Sequence, residues 1–367
     1  MVEKRTAATF TSEGMSELSH ETIESNERAV TLFQHAIGTD GAFAPAHVGL
    51  ANAYVQRADD LRRGLSWLEL AVVEGQRALQ LDSSLADAYY ALGRAYRVKG
   101  WLSQELQLWQ RLVQLEPNNA VASERLGWVL WFTGRADEGL PWLRAAAKLR
   151  PQNPWVHFYL GNANLARGDY SKAHQMYLKA LQIQPDHSSA LAGVIWSLLA
   201  ASRVEEARSF LRQFQTGTFD GDRYPLKLAD IEYFLGEDNE ASRHAQEALA
   251  EPPRDSTLSG AERYWPRGFL ASTILGAILW HADRASAEAN LDYSERIDRE
   301  RVAGGDEGYL AHIDLAAVQS IRGEARSACH SLRIAIAAGW RYGSLAAGDR
   351  LFENIRTDPV FRSLVTA

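Results

Sequence analysis

The chain has 367 residues, of which 46% are apolar and 23% charged, with a net charge of −7. That much apolar material excludes a disordered chain. The acidic balance argues against a sequence-independent grip on nucleic acid, which needs clustered Lys and Arg. A single cysteine, Cys329, excludes an internal disulfide and fits a reducing compartment.

The opening MVEKRTAATFTSEG lacks the apolar core of a signal peptide, and no run of about eighteen apolar residues is present to cross a membrane. A soluble cytoplasmic protein is therefore expected. In chain order, Ala29, Phe33 and Ala36 mark the second helix of an opening pair. Leu50, Tyr54, Ala71 and Ala78 fit another pair, interrupted by an insertion near RADDLRRG. From residue 86 a period of 34 takes hold: Gly93, Gly127 and Gly161; Gly100, Gly134 and Gly168, then Ser202 and Gly236; Pro117, Pro151 and Pro185, with Pro253 back in phase. A fixed period of this size marks a stacked-repeat architecture.

The unit 154–187 shows how each repeat folds. Trp155, Phe158, Tyr159, Leu165 and Ala166 recur at three- and four-residue steps, as one apolar face of a helix does. Pro154 suits the first turn of that helix, and Gly168 with Asp169 ends it. Ala173, Met176, Tyr177, Ala180, Leu181 and Ile183 build a second helix, which Pro185 stops. Gly161, Ala173 and Ala180 lack bulk, so the two helices can approach closely around Tyr177 and Leu165. Beyond residue 188 the letters weaken: 188–221 keeps Ala207 and Leu211, and 222–255 keeps Gly236, Ala241, Ala248 and Pro253. Ala277 with Tyr293, and Gly323 with Ala328 and Ala335, suggest two last pairs.

These letters resemble the tetratricopeptide repeat family. Leu92-Gly93, Tyr96, Gly100, Trp109 and Pro117 carry the likeness in 86–119. Leu126-Gly127, Gly134, Ala146 and Pro151 carry it in 120–153, and Leu160-Gly161, Gly168, Ala173, Tyr177, Ala180 and Pro185 in 154–187. Glu105 and Gly139 depart from the usual first spaced Ala. The resemblance implies an all-α, right-handed superhelical solenoid of about nine helix pairs. It would be one domain over 1–367, with best-formed repeats 86–119, 120–153 and 154–187, degenerate repeats over 10–85 and 188–341, and a cap at 342–367. The tail is similar to the closing motif of arrays attached to bacterial adenylate cyclases, serine/threonine kinases and winged-helix regulators. Trp340-Arg341, Leu351-Phe352, Ile355-Arg356 and Asp358-Pro359-Val360-Phe361 carry that likeness.

In this family the first helices line a concave groove, and residues one period apart stack as ladders. Arg94, Trp128, Asn162, Trp196 and Asp230 form one; Arg97, Trp131, Leu165, Leu199 and Tyr233 a second. Asp87, Val121, Trp155, Ser189 and Arg223, and Tyr90, Glu124, Phe158, Ala192 and Leu226, form two more. The expected partner-binding groove is thus Arg94, Arg97, Trp128, Trp131, Trp155, Phe158, Asn162, Trp196, Arg223 and Lys227. At least two of its tryptophans are expected to face solvent, others packing between helices, as Trp109 does at a core position. Of the family's carboxylate-gripping set, the matching positions are Phe158, Asn162, Gly193, Arg223 and Lys227; the leading Lys and second Asn are missing, so a full clamp is not expected.

No GxSxG, GxGxxG, phosphate-loop or HExxH motif occurs, and the histidines are scattered. No catalytic residue, metal or cofactor is expected. The resemblance implies a scaffold or adaptor that binds another protein or a peptide, with no nucleic-acid or membrane partner and with self-association left open. The alternative is a regulatory sensor arm whose groove takes a peptide or small molecule and controls an output module.

Overall fold

Each predicted turn glycine ends a helix. Gly100, Gly134, Gly168 and Gly236 all have φ between 75° and 82°, the left-handed region in which a side chain is strained. Beside each, the residue that follows donates its N–H five residues back: Trp101 to Tyr96, Arg135 to Leu130, Asp169 to Asn164 and Glu237 to Glu232, at 2.8–2.9 Å. The repeated glycines are thus C-terminal caps. Ser202 occupies the same place in its repeat, with φ 60° and the Arg203-to-Leu198 bond at 2.8 Å. The starts repeat as well. Asn119, Asn153 and His187 cap successive first helices by accepting from Ala122, Trp155 and Ala190 N–H.

The computed structural model describes residues 6–58, 66–216, 224–250 and 269–366. The expected insertion near RADDLRRG falls mostly on 59–65 and Arg223 on 217–223, outside the described residues. Among the described residues all regular structure is helical, as expected. Twenty α-helices run through them, eighteen of which form consecutive pairs, with a 3-10 helix near the end.

Contacts between Cα atoms group the described residues into two compact units, one up to Pro117 and one from Asn118 onward. The first unit holds three pairs: α1 (Ala7–Leu18) with α2 (Ile23–Thr39), α3 (Ala44–Ala58) with α4 (Ser66–Leu81), and α5 (Ala86–Lys99) with α6 (Leu102–Leu115). The Phe33 ring of α2 fills the space over Gly14 and Gly49, where a Cβ would strike it. Trp109 does the same over Gly93, and is buried as its core position implies.

The second unit holds α7 (Ala120–Phe132) with α8 (Ala136–Leu149), α9 (Pro154–Ala166) with α10 (Tyr170–Ile183), α11 (Ser188–Ala200) with α12 (Val204–Thr216), and α13 (Tyr224–Leu235) with α14 (Asp238–Ala250). It continues with α15 (Ala271–Leu279), α16 (Arg284–Ala303), α17 (Leu310–Ile321) and α18 (Ala325–Ala337), then α19 (Gly343–Gly348), the 3-10 helix Arg350–Ile355 and α20 (Pro359–Thr366). Its first helices α7, α9, α11, α13, α15 and α17 lie side by side in that order. Tyr177 shows why: its ring sits against both Gly161 of its own repeat and Gly193 of the next, so one aromatic bridges two first helices.

Candidate functional site

The wall of first helices in the second unit is where a tetratricopeptide groove is expected, and most of its rings are covered. Trp128, Trp131, Phe158, Asn162 and Trp196 are each at most 2% exposed. The expectation of at least two open tryptophans on this wall is therefore corrected: only Trp155, at 41%, faces solvent among its described tryptophans.

Trp196 packs on Phe234 and Phe158 on Tyr177 and His187, and the rest of the cover comes from the chain's own C-terminal part. Tyr309, just before α17, stacks on Phe132 with centroids 4.7 Å apart. Gly339, with φ 115°, lies so close to the turn after α7 that a Cβ there would sit 2.6 Å from the Gly134 nitrogen. A Cβ on Gly134 would in turn meet the Arg341 guanidinium at 2.6 Å. The Tyr342 hydroxyl lies against the Trp131 indole and the Tyr309 hydroxyl, and burial pushes its phenol well above the ordinary range. Ser344 Oγ pairs with the Tyr170 hydroxyl at 2.9 Å. Arg350 grips Asp238 with both terminal nitrogens (Nη2 to Oδ2 2.9 Å), donates to the Tyr233 carbonyl at 3.0 Å, and lies 4.5 Å over the Tyr233 ring. On the wall beneath, Tyr177 donates to Asn162 Oδ1 at 2.6 Å, which satisfies the oxygen of that buried amide, while its Nδ2 is buried with no hydrogen-bond partner.

The open end of the wall is the N-terminal edge of the first helices. The Trp155 ring rests on His187 at 4.4 Å and meets Phe158 edge-on at 5.9 Å. His187 is buried, its Nδ1 accepts the Ala190 N–H, and its pKa is pushed down to about 4, first by burial and then by the charge of Lys227. Lys227 is half-buried, with Nζ donating to Ser188 Oγ at 2.7 Å. On the other side, buried Glu124 accepts from Asn153 at 2.9 Å, with Arg150 at 3.7 Å and Arg125 at 3.8 Å. Arg94 and Arg97, half-buried on α5, belong to the first unit.

Asp298 and Asp314 face one another in the closed interior between α16 and α17. Asp314 accepts from Thr273 (2.9 Å) and the Leu270 N–H (3.3 Å), while Arg301 binds Asp298 and Asp306. Burial pushes Asp314 up to about 6 and raises Asp298, whose neighbour Asp314 adds to the shift. Among the described residues no three His, Cys, Asp or Glu side chains are grouped to hold a metal ion, and no helix is long and apolar enough to cross a membrane.

Two family models, both described as tetratricopeptide repeat, match residues 90–154 and 143–261. They fall on the 34-residue series of turn glycines and paired helices. Residues 90–261 belong to the tetratricopeptide repeat family. Several solved tetratricopeptide structures are similar to parts of it. YrrB, described as having an unusual peptide-binding site, is 26% identical, over 50% of this chain and 90% of its own, at a TM-score of 0.41. PilF of Pseudomonas aeruginosa is 22% identical over 59% and 94%, at 0.44. A thermophilic tetratricopeptide protein of Thermus thermophilus is 21% identical over 52% and 99%, at 0.42. No curated protein matches the sequence.

Covering of the wall by residues 309–352 was the feature the repeat pattern missed. One signal for it was present. First helices such as SSALAGVIWSLLA in α11 are apolar nearly all round, and a helix of that kind is buried on every side.

Proposed function

We propose that this tetratricopeptide repeat protein is a non-catalytic protein-interaction module, and that a partner segment docks at the open edge of the second unit around Trp155. The observation that carries this reading is the exposed indole of Trp155 on a wall whose other rings are covered. A tryptophan in such a place is a typical anchor of binding energy. Arg125 and Arg150 on one side and Lys227 on the other favour a partner segment that pairs an apolar anchor with acidic side chains. No motif of an active site supports catalysis, and the two facing aspartates lie in the core rather than in a cleft. The single, buried Cys329 suits the cytoplasm.

The test uses the whole chain. A protein captured by it from native lysate is identified by mass spectrometry, remade pure and titrated against Trp155→Ala. At least about a tenfold loss of affinity with an unchanged melting point is expected. Equal affinity would refute the site. Covering of the remaining wall by the chain's own segment favours a regulated reading, that of a sensor arm with a closed and an open state.

A further inference from the structure

The stretch 339–350 crosses the repeats of the second unit in order. Gly339 and Arg341 meet the turn of the first pair at Gly134. Ser344 meets Tyr170, two residues past the next turn glycine, Gly168. Helix α19 lies on α11 of the third pair. Arg350 meets Tyr233 and Asp238, on either side of the fourth turn at Gly236. One short stretch of chain thus touches four successive repeats one after another. A peptide laid along a row of first helices would make contacts in that sequence.

We propose that residues 339–350 are an intramolecular ligand. They hold shut a peptide-binding face on the second unit, and the partner that opens it is a protein segment built on the same pattern. That pattern is an aromatic with a hydroxyl, as in Tyr342, followed by an arginine placed to meet Asp238. The chemistry of the contact supports this. A buried aromatic, Tyr342, stands at the centre, and polar clasps stand at the margin, which is the anatomy of an interface. The clasps are partly wet: the side chains of Arg350 and Asp238 are 34% and 42% exposed. Ion pairs that exposed exchange readily with water and with competing charges. The Asp238 carboxylate and the Tyr233 carbonyl and ring together select a cation with several donors, which an arginine satisfies better than a lysine. The inference does not rest on the Trp155 edge, and either can fail alone.

The experiment titrates a labelled peptide of this chain's residues 336–354 into the full-length protein. The wild-type chain, already occupied, is expected to bind it weakly. Arg350→Glu, which repels Asp238 and loosens the internal segment, should bind it at least about tenfold tighter. Adding Asp238→Ala to that variant should remove the gain. Equal binding by wild type and Arg350→Glu overturns the proposal, as does a gain that survives Asp238→Ala. Hydrogen exchange on the unaltered chain gives a second readout free of mutation. Amides of 341–350 should exchange faster than those of α9 and α11. Exchange no faster than α9 would show that the segment opens only when the unit unfolds, and would overturn the proposal as well.

Discussion

Adding one methyl group at Gly161 tests the packing that sets the repeats side by side. A Cβ there would lie 2.5 Å from Cδ1 and 2.8 Å from Cζ of Tyr177, against about 3.5–4.0 Å for a relaxed carbon contact. The ring has no room to retreat. Its other side faces Gly193, where a Cβ would lie 2.6 Å from Cε1, and its hydroxyl is tied to Asn162. Overpacking of this kind costs about 1–3 kcal/mol. Replacing a mid-helix glycine with alanine returns about 0.5–1 kcal/mol of helix propensity. Gly161→Ala should therefore destabilise by about 1–2 kcal/mol net, and Gly161→Leu by more. In a unit of this size that is a fall in melting temperature of about 2–8 °C, read by circular dichroism. The interaction can be isolated in a double-mutant cycle. In a Tyr177→Ala background the space is vacated, so Gly161→Ala should become neutral or stabilising. A rise in melting temperature for the single variant, or an equal penalty in both backgrounds, would refute close packing as the role of this glycine.

Ser202→Gly should stabilise by about 0.5–1 kcal/mol in a thermal melt. It relieves the left-handed strain at φ 60°, at some cost in unfolded-state entropy. His187 has a folded pKa of about 4, below its ordinary 6.5, so the unfolded chain takes the proton first as pH falls. That removes up to about 3 kcal/mol of stability between pH 6.5 and 4. His187→Asn keeps the helix cap and should flatten the decline of the urea midpoint across that window. Asp314 is shifted the other way, up to about 6, so its contribution is full below its unfolded pKa near 3.8 and is lost as pH rises through 6. Asp298→Asn, which removes the carboxyl that burial and Asp314 together push up, should raise the urea midpoint at pH 7 to 8 and flatten the fall in stability there.

The repeat body was legible because its determinants are local and recur. A left-handed turn such as those at Gly100, Gly134, Gly168 and Gly236 favours glycine whatever lies around it. The spacing of Ala173, Tyr177 and Ala180 on α10 records which face packs, and all three are buried. The pairs around Ala277 and Ala328 were legible for the same reason. The state of the wall was not. Trp128, Trp131 and Trp196 stand where a groove should be, and their positions one period apart say only that they share a face. Whether that face is open depends on contacts such as Tyr170 with Ser344, 174 residues apart, and Arg350 with Asp238, 112 apart. Residues that distant leave no period behind. The motif Trp340-Arg341 was visible, and what the residues beside it lie against was not.

The meeting of Gly339 with Gly134 also bears on how the second unit folds. A string of repeats that touch only their neighbours can nucleate anywhere and fray from either end. Here the last turns rest on the first, so the early repeats are completed by residues synthesised much later. Contacts between such remote parts of a chain slow folding and make it more all-or-none. Removing residues 338–366 should accordingly loosen α7 and α9, whereas in an open array the damage would stop at the cut.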